Sequence, residues 1–278
     1  MAIKKTGYIG LGNMGLPIAT NVIKAGYDLM AHDLREEPVR QLAELGAKRG
    51  QSAAEVGDHS ELVELSVVDD QQVEDVIVGE NGILATAKPG TIVAIHSTIH
   101  PHTVKRVAKV ARDHDVFVLD AQVSGGQSGA AAAKLCYMVG GDREAFDRAR
   151  PVFETSGTDI FYTGESGSGA ATKLAQQVIV CINRMSAHEG MRLAEAYGLD
   201  VSVVQQVVHV TGAQSRVADN WLQEYKKLPT RDAESAKWMA HLFWKGLIPA
   251  LELGHELGLS MPATALVQQT FPKVLGME

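Results

Sequence analysis

From the amino terminus, short apolar runs alternate with stretches whose apolar residues recur at helical spacing. Gly7-Tyr8-Ile9 is a buried-strand candidate, and Leu16 to Ala25 predicts a helix closed by Gly26 at its C′ position. Tyr27 to Asp33 predicts a second strand, and Glu36 to Leu45 a helix closed by Gly46. The alternation continues with a strand over Leu62 to Val68, a helix over Gln71 to Val78 and, after a Pro-Gly turn, a strand over Thr91 to Ile95. Pro101 to His114 predicts a helix with proline in its first turn, where the missing N–H costs nothing. Strand Val116 to Asp120, strand Leu135 to Val139, helix Arg143 to Phe153 and strand Asp159 to Tyr162 complete the series. Strands separated by helical patterns of about ten residues imply an α/β fold, a doubly wound and mostly parallel sheet with helices on both faces.

Beyond Thr163 the pattern changes. Gly164-Glu165-Ser166-Gly167-Ser168-Gly169 predicts a flexible, turn-rich joint. One long helix follows from Ala170 to Tyr197, ended by Gly198, and then helices over Val201 to Val210, Ala213 to Trp221, Ala233 to Leu257 and Pro262 to Phe271. No strand pattern occurs there. The chain therefore divides into an α/β domain, residues 1–163, and an all-helical domain, residues 164–278, entered through a long helix.

Composition narrows the function classes. With 278 residues, 45% of them hydrophobic and 21% charged, the chain is long enough and apolar enough for sizeable cores. A net charge of -7 with no basic stripe, and only 5% aromatic residues, argues against nucleic acid as a partner. Cys136 and Cys181 form no metal or redox spacing, which fits a reduced, cytoplasmic setting. The amino terminus shows no apolar signal region, and no apolar run is long enough to span a bilayer.

Gly10-Leu11-Gly12-Asn13-Met14-Gly15 is a G-x-G-x-x-G sequence between the first strand and the first helix. In that place Gly10 permits a tight turn, Gly12 lets the backbone approach a pyrophosphate, and Gly15 lets helix pack on strand. The helix N-terminus then faces the phosphates. Asp33 ends the second strand about 20 residues later, where a carboxylate accepts hydrogen bonds from ribose hydroxyls and repels a 2′-phosphate. Asp33 therefore favours NAD over NADP, although Arg35 lies close enough to favour a 2′-phosphate.

Four ordered motifs carry a resemblance. The glycine loop is followed by Asp120-Ala121-Gln122-Val123-Ser124-Gly125-Gly126, by Gly164-Glu165-Ser166-Gly167-Ser168-Gly169-Ala170-Ala171-Thr172-Lys173, and by Lys245. In this order and spacing the chain resembles, over essentially its whole length, the β-hydroxyacid dehydrogenases, which include 3-hydroxyisobutyrate dehydrogenase and tartronate semialdehyde reductase. The resemblance implies a Rossmann-type domain and hydride transfer between nicotinamide and a small 3-hydroxy acid or its oxidised form. It implies Lys173 as general acid/base, and the chemistry agrees: a lysine partly removed from water at a domain junction exchanges a proton near neutral pH. It also implies that Ser124, Gly125 and Gly126 hold the substrate carboxylate and that Gln177, one helical turn after Lys173, orients the substrate. Thr98 and Lys245 are expected near the nicotinamide half, Met14 beside the reactive ring, and Val68 near the adenosine half. Four positions depart from the family pattern: Gln122 replaces a proline, Gln177 an asparagine, His96 an aspartate, and Gly246 the aspartate after Lys245.

Other signals weigh less. His96, His100 and His102 have metal-like spacing, but Pro101 breaks any helix through them, so no metal is expected. The glycine segment before Lys173 lacks P-loop order, and no G-x-S-x-G elbow exists. Trp221, Trp238 and Trp244 fit core or subunit contacts. An imine reductase-like enzyme and a non-catalytic dinucleotide-binding module are the alternatives; the retained Lys173 and Ser-Gly-Gly segment weigh against both. An apolar second domain points to a homodimer or homotetramer.

Overall fold

The computed structural model describes residues 2–223 and 246–274. Its contacts divide the chain into two units, Met1–Lys173 and Leu174–Glu278.

The first unit is built on one eight-stranded sheet, ordered β3-β2-β1-β4-β5-β6-β7-β8. The strands are β1 (Lys5–Ile9), β2 (Asp28–His32), β3 (Lys48–Arg49), β4 (Leu62–Leu65), β5 (Ile92–Ile95), β6 (Phe117–Ser124), β7 (Leu135–Gly140) and β8 (Gly157–Gly164). All pairings are parallel except β6 with β7. From β1 the chain winds outward through β2 and β3, then returns to β4 on the other side. The strand order thus reverses between β1 and β4, the place where open α/β sheets bind ligands.

Both sheet faces are covered, so the central strands are buried throughout. Tyr8, Leu62, Ile92 and Leu119 face one layer, against helices α1 (Gly15–Lys24) and α7 (Arg143–Phe153), which supply Ile18, Val22, Phe146 and Phe153. Their strand neighbours Ile9, Val63, Val93 and Val118 face the other layer. There α3 (Ala53–His59), α4 (Asp70–Val78) and α5 (Pro101–Arg112) contribute Val56, Val73, Ile77, Val104 and Val107. Helices α2 (Glu36–Glu44) and α6 (Gly126–Ala131) complete the unit.

Two expectations are corrected here. β6 does not stop at Asp120; the antiparallel partner β7 supplies register out to Ser124 opposite Cys136, and so extends it. The glycine-rich joint is short and tied down. β8 runs to Gly164, α8 (Ser168–Tyr197) begins at Ser168, and the Gly167 N–H donates to the buried carboxylate of Asp120. Short β3, α3 and α6 had no counterpart in the sequence pattern.

In the second unit, α8 continues into α9 (Val201–His209), α10 (Arg216–Asp219), α11 (residues 246–256) and α12 (Pro262–Val274). No strand occurs there among the described residues. Cys181, Met185, Leu247 and Val267 form one buried cluster, and Ala187, Met191, Ala218 and Trp221 another. The helix expected from Ala213 starts only at Arg216, because the Ser215 hydroxyl caps it by accepting from the Ala218 N–H. Trp238, Trp244, Lys245 and the first part of the helix expected from Ala233 lie outside the described residues.

Candidate active site

The glycine loop sits at the reversal of strand order. Gly10 has φ of 85°, and a Cβ there would strike the Ser66 carbonyl just beyond β4. A Cβ on Gly15 would strike the Gly10 carbonyl, so helix α1 starts in backbone contact with its own loop. Around Gly12 the opposite holds: nothing lies within 4 Å of where its Cβ would be. No side chain caps α1 and its first turn holds no acid, whereas Ser52, Asp69 and Asp142 cap α3, α4 and α7. An uncapped, positively polarised helix end over open space suits a pyrophosphate. Asn13 is exposed at this turn, and Met14 is half-buried beside it.

Asp33 follows β2 and reaches back to the loop. Its carboxylate accepts from the Leu11 N–H at 2.6 Å and from the Arg35 N–H at 2.8 Å, and pairs with the Arg35 guanidinium at 3.0 Å. Burial alone would raise this carboxyl; the Arg35 and Leu11 donors outweigh it and hold the group below the usual carboxylate range. Arg35 also donates to the Leu11 carbonyl, so its charge is committed to Asp33 and the loop. Leu34, 95% exposed, and Val68, 59% exposed, are large apolar side chains left bare beyond β2 and β4. Val68 was expected in the site; Leu34 was not, although an apolar residue between Asp33 and Arg35 is a readable signal.

Thr98 is half-buried in the loop after β5. That loop is stitched to the one after β4, because Ser97 Oγ accepts from the Val67 N–H and donates to the Val67 carbonyl. Two departures from the family pattern brace the same edge. Gln122 donates to the Ile95 and Ser97 carbonyls, two bonds a proline would not supply. His96 is buried rather than turned toward His100 and His102; its imidazole meets Glu64 at 3.0 Å and the Ala121 carbonyl at 2.6 Å.

Asp120 organises the start of α8. Fully buried, it accepts from the Gly167 N–H at 3.0 Å and the Ala170 N–H at 2.8 Å. Burial pushes its carboxyl up against the lowering effect of these donors. The helix also needs bare backbone beneath it: a Cβ on Gly140 would lie 2.5 Å from Ser168 Oγ, and one on Gly169 would lie 2.6 Å from the Met138 carbonyl. Lys173 follows one turn later, buried at 9% exposure, and acts electrostatically on Cys136 of β7. Cys136 stands directly across the ladder from Ser124. Lys173 thus acts on the strand partner of Ser124. Gly125, φ 134°, and Gly126, φ 66°, turn the chain sharply there, and nothing fills the space beside Gly126.

On α8 the buried positions Ala170, Lys173, Leu174, Gln177, Cys181 and Met185 form one stripe, and Lys173 and Gln177 are its polar members. Gln177 is 5% exposed. Lys245, expected in the site, lies outside the described residues.

Residues 5–164 match the family described as the NAD binding domain of 6-phosphogluconate dehydrogenase. Residues 167–276 match the NAD-binding domain of NADP-dependent 3-hydroxyisobutyrate dehydrogenase. The NAD-dependent L-serine dehydrogenase of Pseudomonas aeruginosa is 34% identical over 98% of this chain and 93% of its own length. The chain belongs to the β-hydroxyacid dehydrogenase family. The 2-hydroxy-3-oxopropionate reductase of Escherichia coli, 35% identical, aligns over 96% of this chain and 90% of its own. Among solved structures, the Mycobacterium tuberculosis 3-hydroxyisobutyrate dehydrogenase with L-serine superposes with a TM-score of 0.85 at 27% identity, covering 98% of this chain and 94% of that one. This family member is an oxidoreductase with a Rossmann-type, NAD-binding domain followed by a helical domain, and it acts on small hydroxy acids. Among its described residues, no helix is long and apolar enough to cross a membrane.

Proposed function

We propose that the enzyme is an NAD-dependent 3-hydroxyacid dehydrogenase in which Lys173 is the general acid/base. The observation that carries this reading is a buried lysine on α8, one turn beyond the point where that helix rests on β7, whose partner strand β6 ends at Ser124. In oxidation Lys173 takes the proton of the substrate hydroxyl; in reduction it returns one to the carbonyl oxygen. Bound NAD supplies the hydride chemistry. Ser124 and the backbone of Gly125 and Gly126 hold the substrate carboxylate, and Gln177 orients the substrate. Gly10, Leu11, Gly12, Asn13, Met14 and Gly15 cradle the pyrophosphate, Asp33 takes the ribose hydroxyls, and Leu34 with Val68 flanks the adenosine half; Thr98 and Lys245 serve the nicotinamide half. With Arg35 engaged by Asp33, a 2′-phosphate finds a carboxylate and no free guanidinium, which favours NAD over NADP.

Residues 1–163 form the dinucleotide-binding domain in this reading, and residues 164–278 the substrate and assembly domain. Leu193, Tyr197, Val203, Val207 and Val210 are exposed apolar side chains on α8 and α9 and just beyond, which supports a homodimer or homotetramer. Cys136 and Cys181, far apart in the chain and in no metal or redox spacing, fit a reducing cytoplasm.

The test is Lys173→Ala in a screen of hydroxy acids followed by reduced-nicotinamide absorbance. Turnover should fall by about 10²–10⁴-fold with NAD affinity nearly unchanged. Near-normal turnover refutes the assignment.

A further inference from the structure

Two of the departures from the family pattern meet in space. Gly246 opens the described part of α11, and a Cβ there would lie 2.8 Å from Cγ, 2.9 Å from Nε2 and 3.1 Å from Cδ of Gln177. The Gln177 side chain therefore lies along bare backbone, in the volume any other residue at 246 would claim. Glycine is poorly suited to a helix by its own propensity, so its presence here needs a packing reason, and this contact supplies one.

The carboxamide end of Gln177 has a second property. The residue is 5% exposed, and its amide carries a donor at Nε2 and an acceptor at Oε1. An amide with so little access to water is most responsive to a ligand that offers an acceptor to Nε2 or a donor to Oε1. An uncharged oxygen substituent, hydroxyl or carbonyl, does this.

We infer that Gln177 and Gly246 act as one specificity unit: Gln177 reads an uncharged oxygen of the hydroxy-acid substrate, and Gly246 is the positioning residue that lets the amide stand where it does. The inference rests on the proposed active site and adds to it why residue 246 is glycine and what Gln177 recognises. The atoms displaced by a new Cβ belong to a flexible side chain, so Gly246→Ala moves the amide without breaking the fold.

A double-mutant cycle in the full-length enzyme tests it, using the best hydroxy acid from the screen as probe. Gly246→Ala in the wild-type background should lower kcat/KM by about 10–100-fold, the scale for a displaced polar contact to substrate. In a Gln177→Ala background the same substitution should change kcat/KM by less than about twofold, because no amide remains to be displaced. NAD affinity and thermal midpoint should hold in Gly246→Ala, a result that mere misfolding would not give. Equal losses in both backgrounds, or no loss in the wild-type background, overturn the inference. Turnover that persists in those variants and still needs Lys173 would leave the broader reading standing while this one fell.

Discussion

Removing the Asp120 carboxylate should loosen the start of α8 by an amount the geometry allows to be worked out. In Asp120→Ala the Gly167 and Ala170 N–H groups lose their acceptor, and each buried, unpaired donor costs about 1–3 kcal/mol. The wild type bears an opposing cost, since burial raises the Asp120 carboxyl, so a net loss of about 3 kcal/mol is expected. At about 2–4 °C per kcal/mol for a chain near this size, the thermal midpoint should fall by about 6–12 °C. Asp120→Asn keeps one acceptor oxygen and should lose about half as much. Because Lys173 follows Ala170 by less than a turn, kcat should fall in both variants while NAD affinity holds. Thermal unfolding by circular dichroism, with steady-state kinetics, reads both effects. The folded protein holds the Asp120 proton more readily than the unfolded chain. Wild-type stability should therefore fall, from this group, as pH rises from the ordinary carboxylate range through the raised folded value, and Asp120→Asn should lack that slope. An alanine variant that melts within about 1 °C of wild type and keeps its kcat would refute the reasoning.

Asp33→Ala should raise KM for NAD by about tenfold or more while affecting NADP much less, read from initial rates with both coenzymes. The depressed Asp33 carboxyl contributes stability above the ordinary carboxylate range, lost as pH falls through its lower folded value; acid melting curves of wild type against Asp33→Asn check the sign. His96→Leu strands Glu64 inside the sheet and should cost about 3–5 kcal/mol in chemical denaturation, whereas Glu64→Leu with His96→Leu should recover most of it.

The sequence announced features whose physics is local. The glycine loop, Asp33, and the helix ends at Gly26, Gly46 and Gly198 each answer to constraints within a turn or a strand, and the structure has them where spacing places them. Short elements escaped, because two residues of β3 or six of α6 show no period. What acts across the chain escaped as well. Asp120 serves N–H groups 47 and 50 residues away, and Glu64 meets His96 across 32. Read singly, Gln122, His96 and Gly246 are departures from a pattern; beside Ile95, Glu64 and Gln177 each has a partner that explains it.

The bare backbone at Gly140 and Gly169 bears on how such a protein can be taken apart. The glycine-rich seam after β8 looks like a place to cut or to graft a different helical half. A chain severed at Gly164 would keep the Asp120 socket and discard its plug, exposing a buried carboxylate and a glycine-floored notch to solvent. The usable seam for chimeras lies further on, within α8 and past Lys173, so that donor and recipient halves must be spliced in helical phase. Any recombination of relatives, natural or designed, inherits that phase requirement.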